Sequence, residues 1–198
     1  RLRAAGAIVF GKTNTPEFAY GPLNAYHYGP SRNPWDPTRF TGGSSSGSGG
    51  ATAACLCATS LGEDTGGSVR GPAAWCGVVG LRPTWGRVSR HGLRPGMWSM
   101  DTIGPLSRTV EDCALTLQAI AGHDPNDAYT WDVPVPDYRA ALDGNLAGKR
   151  VGVVKELLDA EVVEPEVPDA VSQAVHVLAA LGAQVDEVSI PLTRHANT

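Results

Sequence analysis

Apolar and polar positions follow two periods along this chain, and each period predicts a different element. Ala7-Ile8-Val9-Phe10 is a short continuous apolar run and predicts a buried strand, as does the stretch from Val78-Val79 to Leu81. The segment Thr109 to Ala121, TVEDCALTLQAIA, has apolar residues at helical spacing. Thr109 opens it with Asp112 three residues later, close to a capping box, and Gly122 ends it. Towards the end, Arg150 to Val154 reads as a strand, Pro168 to Leu181 as a helix closed by Gly182, and Ala183 to Ile190 as an alternating strand. A strand, helix, strand unit implies a crossover and two parallel strands in one sheet.

Between these lie segments with weaker periodicity. Gly21 to Pro37 is irregular and carries the turn pairs Asn33-Pro34 and Asp36-Pro37, so a long surface loop is expected. Gly49 to Thr59 is a run of small residues that predicts a helix beginning near Ser46 to Ser48 and buried all round. Asp124 to Pro136 is a polar connection. The fold class that follows is α/β.

Composition narrows the function. The 198 residues are 42% hydrophobic and 18% charged, with net charge −4, which suits a globular domain and disfavours a direct nucleic-acid surface. No apolar run reaches the roughly 18 to 20 residues of a membrane span, and no signal-like start is present, so a cytoplasmic protein without a membrane partner is expected. Cys55, Cys57, Cys76 and Cys113 lack the spacing of a metal or disulfide framework and are read as small buried apolar residues. His27, His91, His123, His176 and His195 have no partner pattern, and Trp75, Trp85 and Trp98 are read as core. No metal or cofactor is expected.

The chemistry concentrates in Gly42 to Pro72, GGSSSGSGGATAACLCATSLGEDTGGSVRGP. Two glycine clusters there hold hydroxyls where a ligand could approach the main chain. Thr65-Gly66-Gly67-Ser68 and Arg70 supply a hydroxyl, adjacent N–H groups and a fixed positive charge, the requirements of acyl transfer. Gly43 to Gly47 also fits G-x-S-x-G with Ser45 as the alternative nucleophile of an α/β-hydrolase elbow, but the residues before it do not read as the strand an elbow needs. Neither glycine cluster completes a phosphate-binding motif.

With its upstream GKTNTPEFAYG and downstream DTIGPLSRTVED, the segment from GGSSSGSGG to LGEDTGGSVRGPAAWCGVVGLRPTWGRVSRHGL resembles the amidase signature family, closely over Gly6 to Gly122. The resemblance implies part of a mixed-sheet α/β/α domain, incomplete at both ends, and a Ser-cisSer-Lys triad. By position, Ser68 resembles the attacking serine, and Ser44 resembles the serine that bridges to an unprotonated lysine through a cis peptide bond. The N–H groups of Thr65, Gly66, Gly67 and Ser68 resemble the oxyanion hole. Ser45 is expected to support the triad or to cap the following helix, Asp64 and Arg70 to form an ion pair that fixes the loop, and Asp101 to hold a turn.

The lysine departs from the family pattern. Its G-[IV]-P-x-x-[IVL]-K-[DE] segment is not found before Gly42, Lys12 is assigned a structural role, and Lys155 mimics the motif from a position downstream of Ser68. The chain is therefore expected to be an internal piece of an amidase: a signature core over 1–122, a connection over 123–148 and a strand, helix, strand unit over 149–191. The implied function is hydrolysis of a small-molecule amide to a carboxylic acid and ammonia or an amine. The alternative is the A-type component of a glutamine-dependent Glu/Asp-tRNA amidotransferase. Partners would be a second copy or the other amidotransferase components.

Overall fold

The computed structural model describes residues 1–21, 26–158 and 163–195. It divides into two units, Arg1–Ala141 and Leu142–Thr198. The division lies inside the expected connection.

The first unit is built on helix α1 (Ser46–Ala53), strand β1 (Thr59–Asp64), helix α2 (Arg70–Cys76), strand β2 (Val79–Gly80), strand β3 (Thr102–Ser107) and helix α3 (Val110–Ile120). Strand β3 lies between β1 and β2 and is antiparallel to both, with Asp64 opposite Thr102 and Thr59 opposite Ser107. Val69, Ala73 and Leu106 form one buried cluster with Val78 against it. Val88, Leu117, Ile120 and Ala121 form another, onto which Leu61, Leu81 and Ile103 pack. These clusters place the β1–α2 turn on a sheet buried from behind. Helix α3 follows the expected boundaries: Thr109 Oγ1 accepts the Asp112 N–H at 3.0 Å and caps its first turn.

In the second unit, β4 (Arg150–Val154) pairs in parallel with β5 (Gln184–Val188), and the crossover carries α4 (Lys155–Leu158) and α5 (Glu166–Ala180). The expected strand, helix, strand order is present. No helix among the described residues is long and apolar enough to cross a membrane.

Several expectations are corrected. Residues 7–10 form no strand; Ile8 is 87% exposed, because no described strand pairs with this run and an isolated apolar segment has nothing to bury against. The small-residue helix stops at Ala53, Cys55 turns the chain with φ 58°, and Thr59 already begins β1. Cys55 is consequently exposed, whereas Cys76 and Cys113 are buried. Trp75 and Trp98 are exposed rather than core. Trp98 instead joins Trp85 and Tyr129 around the Arg90 guanidinium, 4.8 to 5.4 Å from the three ring centroids.

Candidate active site

The loop between β1 and α2 is organised by one carboxylate. Asp64 ends β1 with its side chain wholly buried, and it accepts the N–H groups of Gly67 at 2.8 Å, Val69 at 3.1 Å and Arg70 at 3.2 Å. The Arg70 guanidinium adds two hydrogen bonds at 3.0 Å, and Arg82 Nε lies 3.3 Å away. Burial alone would raise the Asp64 pKa. The hydrogen bonds from Arg70 and from the main chain outweigh it and hold the carboxyl below its ordinary value. The expected Asp64–Arg70 ion pair is thus present, and its geometry bends residues 65–68 into a turn.

Ser68 sits at the end of that turn, half-buried, just before the wholly buried Val69 that leads into α2. Its hydroxyl has no hydrogen-bond partner among the described residues. Its carbonyl accepts the Ser45 N–H at 3.1 Å, which joins the two halves of the Gly/Ser segment. Of the four amides expected to face an oxyanion, that of Gly67 is turned to Asp64 instead. This corrects the expected set, because a donor committed to a buried carboxylate is not free for a ligand. The N–H groups of Thr65, Gly66 and Ser68 have no partner among the described residues. Gly67 adopts φ +133°, a conformation that side chains rarely allow.

Ser44 lies in the other half of the Gly/Ser segment, just before α1. The Gly43–Ser44 peptide bond is cis, as the resemblance implies. The Ser44 carbonyl accepts Thr15 Oγ1 and the Ser46 N–H, both at 2.8 Å, and the side chain is buried with no hydrogen-bond partner among the described residues. The upstream Thr13-Asn14-Thr15 segment fixes this region further. Thr13 Oγ1 lies 2.7 Å from Ser48 Oγ, and the Asn14 carbonyl accepts the Gly47 N–H and Ser46 Oγ. Sequence reasoning assigned these residues no role.

The Ser45 hydroxyl neither caps α1 nor hydrogen-bonds to the hydroxyl of Ser44 or Ser68. It is buried and donates to the Glu63 carbonyl at 3.2 Å. Residues 41–45 form no strand, so the elbow reading is overturned. The close approach requires Gly62, where a Cβ would stand 2.4 Å from Ser45 Oγ and 2.9 Å from Val69 Cγ2. Gly62→Ala is therefore expected to destabilise the protein by about 1–3 kcal/mol, read as a lower denaturation midpoint at unchanged slope.

Beside the turn, Thr65 Oγ1 lies 2.6 Å from both Glu63 Oε1 and Asp101 Oδ1. Asp101 is buried and accepts the N–H groups of Gly96 and Met97, so it holds its turn as expected. It also lines a cavity of about 210 Å³ with Arg90, His91, Trp98 and Asn126. Sequence reasoning missed the three-residue contact, although two adjacent acids before a glycine turn were a visible signal.

Within the first unit, no described lysine joins this group. Lys12 is exposed and makes no side-chain hydrogen bond or ion pair with a described residue, so its expected structural role has no contact behind it, and Lys149 and Lys155 lie in the second unit. Among the described residues no cluster of His, Cys, Asp and Glu is arranged to hold a metal.

The chain is similar to known proteins in both sequence and fold. The A-type component of the glutamyl-tRNA(Gln) amidotransferase from Gloeobacter violaceus is 57% identical over 192 residues, covering 96% of this chain and 39% of its own length. Its counterpart from Syntrophobacter fumaroxidans is 55% identical over 194 residues, covering 98% and 40%. The crystal structure of the Thermotoga maritima counterpart superposes with TM-score 0.92 at 42% identity over 98% of this chain and 43% of that one. A peptide amidase in complex with chymostatin superposes with TM-score 0.88 at 42% identity over 98% and 41%. The chain thus spans 39–40% of the length of the curated relatives it matches. A family model described as Amidase matches residues 1–198, and the chain accordingly belongs to the Amidase family.

Proposed function

We propose that the full-length protein hydrolyses a carboxylic amide through an acyl-enzyme on Ser68, and that its substrate amide is that of glutamine, hydrolysed as the A-type component of a tRNA-dependent amidotransferase. The observation that carries the chemistry is the half-exposed, unpartnered Ser68 hydroxyl beside the free amides of Thr65, Gly66 and Ser68. The Ser68 oxygen attacks the amide carbonyl, and its proton passes to Ser44 and on to a lysine base. The carbonyl oxygen, now negative, takes hydrogen bonds from the loop amides. Collapse of this intermediate breaks the C–N bond, and the departing nitrogen takes a proton to leave as ammonia. Water then attacks the Ser68 ester, releasing the acid and restoring the hydroxyl. The lysine would come from outside this chain's Gly/Ser region, as in the family pattern.

The glutamine reading is supported by the two amidotransferase relatives, at 55–57% identity. A cytoplasmic setting and association with partner polypeptides accompany it. The likeness to a peptide amidase favours a second reading, a free-standing amidase. Purification of the full-length protein from its native cells separates the two. Co-purifying partner polypeptides, glutamine-dependent ammonia release and amidation of misacylated tRNA are expected. A lone polypeptide that releases ammonia from simple amides without partners would favour the second reading.

A further inference from the structure

One hydroxyl proton faces two carboxylates at the edge of the candidate site. Thr65 Oγ1 is 2.6 Å from Glu63 Oε1 and 2.6 Å from Asp101 Oδ1, and a threonine hydroxyl has a single proton to donate. It can serve one acid; the other would press lone pair against lone pair unless it brings a proton of its own. The Asp101 carboxyl already accepts the Gly96 and Met97 N–H groups at 2.8 to 3.1 Å, whose donors need its lone pairs. The Glu63 carboxyl has no hydrogen bond among the described residues other than that to Thr65. The charged groups facing it are Asp101, Asp64 and Arg82, and the Arg82 guanidinium is committed to Asp64 and to the Met100 carbonyl. Burial raises the Glu63 pKa, outweighing the lowering effect of the Thr65 hydroxyl and of Arg82, and the two neighbouring acids add to the rise.

We infer that, of these two acids, Glu63 is the one that takes up a proton, and that it then donates to Thr65 Oγ1, which in turn donates to Asp101 Oδ1. The two-bond chain ties the end of β1 to the 96–101 turn across the first residue of the Ser68 loop. Glu63 is then a positioning residue for the amides of Thr65 and Gly66, and deprotonation loosens them. The positioning role rests on the proposed acyl-transfer site; the protonation does not. The sign on stability follows from the raised pKa. The folded protein keeps this proton longer than the unfolded chain, so Glu63 costs stability as pH rises through the interval between the two pKa values.

The test is a carboxyl ¹³C titration of the full-length protein labelled at glutamate, with the Glu63 resonance assigned by its loss in Glu63→Gln. A midpoint at least one unit above roughly 4.3 is expected, and any lower midpoint overturns the inference. Thr65→Val supplies a sign test. Removing the acceptor of the Glu63 proton is expected to lower the midpoint, whereas a rise would show that Thr65 had been donating to a charged Glu63. For the positioning role, wild-type kcat is expected to fall as pH rises through the Glu63 midpoint, with KM little changed, and this limb is expected to vanish in Glu63→Gln. Superimposable profiles would overturn that role. Failure of the Ser68 proposal would appear separately, as activity that survives Ser68→Ala.

Discussion

Ser68→Ala in the full-length protein is expected to lower amide turnover by about 10⁴-fold or more while leaving the fold intact. The magnitude follows from loss of the covalent route, since the loop amides alone would retain only binding and oxyanion stabilisation. The fold should tolerate the change because the Ser68 hydroxyl has no hydrogen-bond partner among the described residues. Its main-chain carbonyl, which bonds to Ser45, is unchanged by the substitution. Ammonia release under saturating substrate checks the rate, and circular dichroism with a thermal melt checks the fold. Loss of stability equal to the loss of activity would assign Ser68 a structural role.

Asp64→Asn is the second large effect expected, and here stability and activity should fall together. The carboxylate accepts three main-chain N–H groups and two hydrogen bonds from Arg70, and lies beside Arg82. An amide presents a single acceptor oxygen and no charge, which leaves buried donors unpaired and both guanidiniums without their anion. A cost of about 3 kcal/mol is expected. Because the folded pKa of Asp64 is depressed, the stability it contributes is complete above the unfolded value of about 3.9 and is lost as pH falls through the lower folded value. Chemical denaturation at several pH values should therefore show a gap between wild type and variant that is constant near neutrality and closes in acid. A gap independent of pH would contradict the charge argument.

Periodicity revealed the elements that turn one face towards a neighbour in the same stretch of chain. Helix α3 and the β4–α5–β5 order were legible for that reason. Strands β1 and β3 were not. Thr-Ser-Leu-Gly-Glu-Asp is poor in strand formers, and Thr-Ile-Gly-Pro-Leu-Ser contains a pair that ordinarily marks a turn. Strand β3 is nonetheless central, and Gly104 is required there because a Cβ would stand 1.9 Å from the Leu81 carbonyl oxygen. Helix α2 was hidden by Gly71 and Pro72, yet both fall in its first turn, where a missing N–H costs little. In residues 7–10 the error ran the other way, because apolarity alone does not supply a partner strand.

The Gly/Ser segment exposed its serines and glycines to sequence reading because each needs a particular residue type at a fixed offset. What it hid were contacts made by folding. Thr15 reaches the Ser44 carbonyl across 29 positions, and Asp101 reaches Thr65 across 36. The Gly67 amide was misassigned because residue type says that an N–H exists, and only the placement of Asp64 says where it points.

The proposed chemistry requires acylation of the Ser68 oxygen. The most direct measurement is mass-spectrometric mapping of the full-length protein after reaction with a serine-reactive fluorophosphonate. Trypsin leaves all the candidate serines on one peptide, residues 40–70, so a second cut after Glu63 is needed to separate Ser68 from Ser44 and Ser45. The adduct is expected on the fragment 64–70, at Ser68, with none in Ser68→Ala; an adduct on Ser44 or Ser45, or labelling that survives Ser68→Ala, would rule out acylation at Ser68.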